Sequence, residues 1–437
     1  MVVTIVVLLI LAGVSISLVV DKNGIIQKSK DARREYGQAK ANEQEDLSNL
    51  SDMIEEATGK VAKIDVNTKA SKNGTINGEE GNSNNPTIPK GYIPIDTATS
   101  MWGDGSTAPS QDSVKHGLVI KDEKNNEWVW VPVDKATLAT MYEESSDEKT
   151  LRGTTGETAV KTKLYSKSIT IGTDSNKKTM SRTTPGTSTS DSYREPDLVV
   201  DDNGASYDAK EKYYKTILGK TGTKEQLAQL FVDEYKAMIE SVSKYGGFYI
   251  GRYELSEEGV QKDKETLTSP NWYNLYKKCT ELQASDKAKT QMIWGCQWDV
   301  TMNWLISSGA KTSDEVNKDS SSWGNYSNTS VKADDGTTEL KANGKSAKLN
   351  TGKTTFTMAN NIYDLAGNCW EWTQEAFGTF RRACRGGNCS ANGSNESASN
   401  RYGVNPDRYG GRFSSHFNNK VTLASRAWAP VWRIIIK

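Results

Sequence analysis

The first twenty residues, MVVTIVVLLILAGVSISLVV, carry no charge at all. Thr4, Gly13, Ser15 and Ser17 are its small or weakly polar interruptions. As a helix, such a run spans about 30 Å, the thickness of a bilayer's hydrocarbon core. It can serve as a membrane helix or as a cleaved signal peptide. Its length, the lack of a basic segment before it and the lack of a small-x-small cleavage site favour the anchor. A globular core must therefore be sought further along the chain.

Asp21 to Gly24 breaks or kinks the helix, and Ile25 to Ala57 returns to a composition rich in Lys, Gln, Ala and Glu. Its apolar residues are sparse, which reads as a solvated stalk. Val66 to Pro89 is rich in Asn, Gly and Ser without apolar periodicity and reads as a flexible linker. All 12 tryptophans lie between Trp102 and Trp432, so the large core belongs there. The expected division is an anchor and stalk over 1–58, a linker over 59–89 and a folded head over 90–437. The 55 basic and 55 acidic residues balance, which gives no reason to expect a nucleic-acid partner. Five cysteines are too few for a disulfide scaffold, and their odd number leaves at least one unpaired within the chain.

Within the head, GLVI at 117–120, EWVWVPV at 127–133 and GGFYIGRYEL at 246–255 read as short strands between turn residues. Thr223 to Lys244 predicts an amphipathic helix with Leu227, Leu230, Phe231, Tyr235, Met238, Ile239 and Val242 on one side. A second helix is predicted over Gln297 to Ser308, and the Ser/Thr/Lys-rich stretch Thr150 to Tyr193 reads as a long insertion or loop. The mixture predicts an α+β domain of high loop content rather than a parallel βαβ sheet. It carries no glycine-rich phosphate loop or dinucleotide fingerprint.

Two resemblances sharpen this picture. VVTIVVLLILAGVSISLVVDKNGIIQKSKDA resembles the N-terminal helix of pilin-like proteins from Gram-positive, clostridial-type bacteria. In that family a short basic leader precedes this point. The resemblance implies membrane insertion through residues 2–20, a head outside the cell, and pilin-like assembly as an open possibility. Lys22, Lys28, Lys30, Arg33 and Arg34 follow the span, and by themselves they would place the head in the cytoplasm. The outside placement therefore rests on the resemblance. The glutamate that type IV pilins carry near the start of this helix has no counterpart here.

FYIGRYE (248–254), MIWGCQWDVTMNWL (292–305), WGNY (323–326), NIYDLAGNCWEWTQE (361–375) and RRACRGGNC (381–389) together resemble the formylglycine-generating-enzyme, or sulfatase-modifying-factor, family. This family is a branch of the C-type-lectin-like fold, and the resemblance covers roughly residues 90–437. Its catalytic members bind copper through two cysteines downstream of the Arg-Gly-Gly motif. Here Cys384 precedes Arg385-Gly386-Gly387, Cys389 follows almost at once, and SANGSNESAS (390–399) contains no cysteine. With the pair out of register, no catalytic residue or metal ligand is assigned and no enzyme activity is expected. His116 sits in a turn before a strand, and with His416 it completes the histidines, so a Ser-His-Asp site finds no support. Glu254, Asp364, Glu371 and Glu375 could form a carboxylate pair or hold calcium, although such residues more often fix loops in this family. No cofactor is required on this reading.

Asn388 to Lys420 is dense in Asn, Ser, Gly, Arg, Tyr, Phe and His. Composition alone would allow a long polar loop. The same mixture also suits a recognition surface, with large aromatic and guanidinium contacts among small adaptable residues. The expected ligand-binding residues are Arg401, Tyr402, Asn405, Asp407, Arg408, Tyr409, Arg412, Phe413, His416, Phe417 and Trp428. Trp428 could floor the site or close the core, and Trp432 reads as core. The window resembles the variable regions of retroelement-diversified proteins, in which mutated adenines turn Asn codons into this set of residues. The function expected from the whole sequence is a surface-displayed binding protein for an unknown protein or glycan. An oxidase of the formylglycine-generating type and a structural minor pilin are the alternatives.

Overall fold

A computed structural model describes residues 92–95, 116–187, 191–200, 210–268, 270–282, 288–407, 423–425 and 427–429, with isolated positions 83, 86, 89 and 208. The anchor and stalk expected over 1–58 lie outside the described residues, as does most of the linker. Among the described residues no helix is long and apolar enough to cross a membrane.

Short runs of apolar and aromatic residues at the start of the head form an antiparallel ladder. β1 (Tyr92–Ile95) pairs with β2 (Val119–Asp122), and β2 pairs with β3 (Glu127–Pro132). Asp134 then caps α1 (Lys135–Met141), its carboxylate accepting from the Thr137 amide at 2.7 Å. Two hairpins follow, formed by β4 (Tyr142–Thr150) with β5 (Lys161–Ser166) and by β6 (Ile169–Ile171) with β7 (Lys178–Met180). They give strands to the stretch Thr150 to Tyr193, which the sequence reads as a long insertion or loop. Ile169, Ile171 and Met180 are buried while Thr170 and Thr179 face outward, so a polar composition hides strands only three residues long. β8 (Tyr193–Arg194) comes next, held by Arg194, whose guanidinium donates to Asp197 at 2.6 Å and to the Gly378 carbonyl at 2.7 Å.

α2 (Glu211–Leu218) leads into α3 (Lys224–Tyr245), the long amphipathic helix. Thr223 and Gln226 form a reciprocal capping box at its start, and Gly246, left-handed at φ 74°, ends it. Of its expected apolar face, Leu230 alone stays half-buried, and the others are buried. β9 (Gly247–Gly251) then pairs with β3. Next come α4 (Trp272–Glu281), β10 (Gln291–Met292), α5 (Gly295–Ser307) and α6 (Ser313–Asn317). Two small hairpins follow, β11 (Val331–Lys332) with β12 (Glu339–Lys341) and β13 (Met358–Ala359) with β14 (Ile362–Tyr363). The chain closes through β15 (Trp370–Phe377), β16 (Arg381–Arg385), β17 (Arg401–Val404), β18 (Leu423–Ser425) and β19 (Ala427–Ala429).

The result is a mixed α+β head around two larger sheets. One runs β1-β2-β3-β9-β19-β10, and the other runs β17-β16-β15-β18 with β8 also paired to β15. One core cluster joins Val129, Val131, Phe248 and Ile250 of the first sheet to Tyr235, Met238 and Val242 of α3 and to Trp298 and Leu305 of α5. α5 is buried on nearly every side. Its start is capped by a carboxylate from outside the helix, because Glu195 accepts from the amides of Gly295 and Cys296.

The Asp-Leu-Ala-Gly-Asn loop is a left-handed device, with Asp364, Gly367 and Asn368 all at positive φ. A side chain on Gly367 would run into the backbone of Asn325, so this tight turn requires glycine.

A candidate ligand-binding face on the five-stranded sheet

A bulge in β15 builds the site. The register between β15 and β16 shifts between Trp372 and Ala376, which turns Glu375 into the interior. There its carboxylate meets three guanidinium groups. It lies 2.8 Å from Arg182, accepts from Arg401 at 2.9 Å and approaches Arg385 at 3.7 Å. Asp299 of α5 completes the network, accepting from Arg182 at 2.6 Å and from Arg385 at 2.5 Å. Glu195 lies 3.6 Å from Arg182. Three cations thus face three carboxylates.

The electrostatics follow from burial set against neighbouring charge. Burial alone would raise the Asp299 carboxyl, but Arg385 and Arg182 outweigh it and hold the group below its usual value. Burial raises Glu195 despite the pull of Arg182. Lys178, on the rim, is pushed down to about 8 by burial and by repulsion from Arg385 and Arg401.

Arg401 carries this network to the surface. Its guanidinium lies 3.8 Å from the centre of the Tyr193 ring and donates to the Ser181 carbonyl at 3.1 Å. Tyr193 stacks in turn on Phe377 at 4.3 Å. Arg381 lies across the turn, over Phe380 at 4.7 Å. Tyr193, Phe377, Phe380, Arg381 and Arg401 are all half-buried, forming a shelf of aromatic rings and guanidinium groups. Among the described residues the outer edge of β17 has no partner strand.

Four of the expected binding residues have described side chains, and they part company. Arg401 lies on the shelf, tied down by Glu375. Tyr402 projects from the opposite face of β17, against Trp370 at 5.9 Å. Asn405 accepts from the Asp407 amide at 3.4 Å, and Pro406 and Asp407 are fastened to the helices. Tyr213 of α2 donates to Asp407 at 3.2 Å, and the Trp272 amide at the start of α4 donates to the Pro406 carbonyl at 3.1 Å. Arg408, Tyr409, Arg412, Phe413, His416 and Phe417 lie outside the described residues. Trp428 is a residue of β19 between Ile250 and Gln291, so its backbone closes the larger sheet. Tyr193, Phe377, Phe380 and Arg381 escaped the sequence reading. The FGTFRR segment at 377–382 shares the aromatic and arginine composition of the window and could have drawn attention.

The topology places the two ends of residues 405–422. The chain leaves the sheet from β17 at one edge and re-enters at the other edge as β18, parallel to β15. Residues 405–422 therefore connect the two edges of one sheet.

The carboxylates considered for calcium have partners. Glu254 accepts from Thr266 at 2.6 Å, from Asn368 at 2.6 Å and from the Cys369 amide at 3.2 Å. Asp364 accepts from Thr351 at 2.9 Å and from the Gly352 amide at 2.8 Å. Among the described residues no group of three or more His, Cys, Asp or Glu residues is placed to hold a metal ion. His116 is exposed in a turn.

Gly403 keeps the shelf flat, because a side chain there would overlap the ring of Phe377. Gly403→Val is expected to displace that ring from Tyr193 and to lower stability by about 1–3 kcal/mol. Chemical denaturation would check this, and an unchanged midpoint would disprove the packing role.

No protein-family model matches the chain, and no curated protein matches it. Among solved structures it is similar to Treponema denticola variable protein 1, with 14% identity, 43% of this chain and 85% of that chain covered, and a TM-score of 0.26. A likeness of that size carries no argument about fold or function.

Proposed function

We propose that this chain is a surface-displayed, non-catalytic binding protein. Its head has the C-type-lectin-like fold of the formylglycine-generating-enzyme family and is displayed on a pilin-like N-terminal helix. It engages its ligand through residues 401–417, whose sequence is open to diversification. The observation that supports this reading best is that β17 and β18, the strands on either side of residues 405–422 in the chain, lie at opposite edges of one sheet. The sheet beneath is fixed by buried tryptophans and a balanced set of buried charges. A connection held in this way can change its residues without disturbing the core.

The test is binding by the purified full chain, probed on a panel of immobilised glycans and cell-surface proteins. Alanine replacement of Arg408, Tyr409, Arg412, Phe413, His416 and Phe417 together should weaken every hit at least tenfold at an unchanged melting temperature. Hits that survive the replacement would refute the proposal, as would copper-dependent oxidation of a cysteine peptide by the chain. A reverse-transcriptase gene and a near-copy template repeat beside the gene would support diversification, and their absence from the complete locus would refute it.

A further inference from the structure

Two of the five cysteines lie on segments that are laced together. The Gly367 amide donates to the Gly386 carbonyl at 2.8 Å, and the Cys389 amide donates to the Asn368 carbonyl at 3.0 Å. The second bond fixes Cys389 beside Cys369. In a trans peptide the carbonyl oxygen of residue 368 is on the same side as the Cα of residue 369. Standard geometry then puts the two Cα atoms about 4.5–6.5 Å apart, inside the roughly 4.4–6.8 Å that a disulfide spans. Both residues are buried and both thiols are free.

The chemistry around the pair is shared. The carboxylate that accepts from the Cys369 amide belongs to Glu254. Burial first, then Glu254 and Cys389, push the Cys369 thiol well above its ordinary value. Burial also raises the Cys389 thiol, which lies within the fields of Glu254 and Lys341. Both groups are protonated thiols at neutral pH once the head has folded, and a thiol is a poor nucleophile. Both side chains are also enclosed once the head has folded, so oxidation belongs to the folding step. The other three cysteines offer no such pairing. Cys279 is in α4, Cys296 in α5, and Cys384 on β16 opposite Trp372 and Tyr402.

We propose that Cys369 and Cys389 form a disulfide when the chain folds under oxidising conditions. Two thiols give one S–S bond and release two protons. Their two electrons reduce a disulfide donor such as oxidised glutathione to its thiols. The bridge joins the Asp-Leu-Ala-Gly-Asn loop to the segment that leaves β16, and so fastens the base of the connection leading to β17. This inference is independent of the ligand.

The experiment is refolding of the full chain in a glutathione redox buffer and in excess reductant. Each product is then alkylated under denaturing conditions and analysed by intact mass and peptide mapping. The oxidised product should carry three alkylated cysteines and a 369–389 crosslink. The reduced product should carry five, with a melting temperature several degrees lower. Cys369→Ser and Cys389→Ser should each abolish the crosslink, whereas Cys279→Ser should retain it. Five reactive thiols in the oxidised product, or a crosslink between another pair, would overturn the proposal. The native-sequence peptide map decides this even where a serine variant fails to fold.

Discussion

Glu375→Ala should destabilise the head by about 3–5 kcal/mol, a large share of the stability of an ordinary domain. The reason lies in the register. Arg401 sits directly opposite Arg385 across β17 and β16, and like charges in facing positions repel. Glu375 reaches both, one oxygen toward each, and touches Arg182 as well. Without it, Asp299 and Glu195 must offset three buried or half-buried guanidinium groups alone. Urea denaturation of the wild type, Glu375→Ala and the Glu375→Ala/Arg401→Ala pair would measure this. The double variant should recover part of the loss, because it removes one of the facing cations. A single variant that unfolds at the wild-type midpoint would show that the network adds nothing to stability.

Trp272→Ala should cost a similar amount, about 3–5 kcal/mol, through the cavity it leaves. Trp272 is fully buried and surrounded by Phe231, Tyr273, Tyr276 and the Arg382 guanidinium. Its indole also donates to the Thr373 carbonyl at 2.9 Å, inside the bulge that aims Glu375. Trp272→Phe should lose less, because it keeps the ring contacts and gives up that hydrogen bond. The effect should reach the window, since the backbone of the same residue holds Pro406. Hydrogen exchange at 404–407 should accelerate in Trp272→Ala relative to the strands of the larger sheet. Equal protection in the two proteins would separate Trp272 from the anchoring of the window.

Much of the fold was legible where a single physical signal dominated. The spacing of Leu227, Phe231, Tyr235, Met238 and Val242 announced α3, and the β-branched and aromatic run around Trp128 and Trp130 announced β3. The helix at 295–307 was displaced by two residues at its start, because its capping partner, Glu195, is far away in the sequence. The strands between 142 and 180 were missed because each buries at most two side chains, too few for a periodic signal against Ser, Thr and Lys. The site was less legible for a related reason. Arg401 reads as a surface arginine until Glu375 is turned inward by a bulge that no local pattern reveals. The shelf draws Tyr193 from one part of the chain and Phe377, Phe380 and Arg381 from another.

The position of β19 has a consequence for any gene that alters the window. This strand follows residues 405–422 in the chain, yet it lies between β9 and β10 rather than at an edge. A frameshift or stop codon anywhere in 405–422 removes it, leaving β9 without its neighbour and β10 detached. Such a product cannot complete its larger sheet, whatever its earlier residues. Substitutions within the window leave that strand in place. Completion of the larger sheet therefore depends on an intact reading frame through residues 405–422.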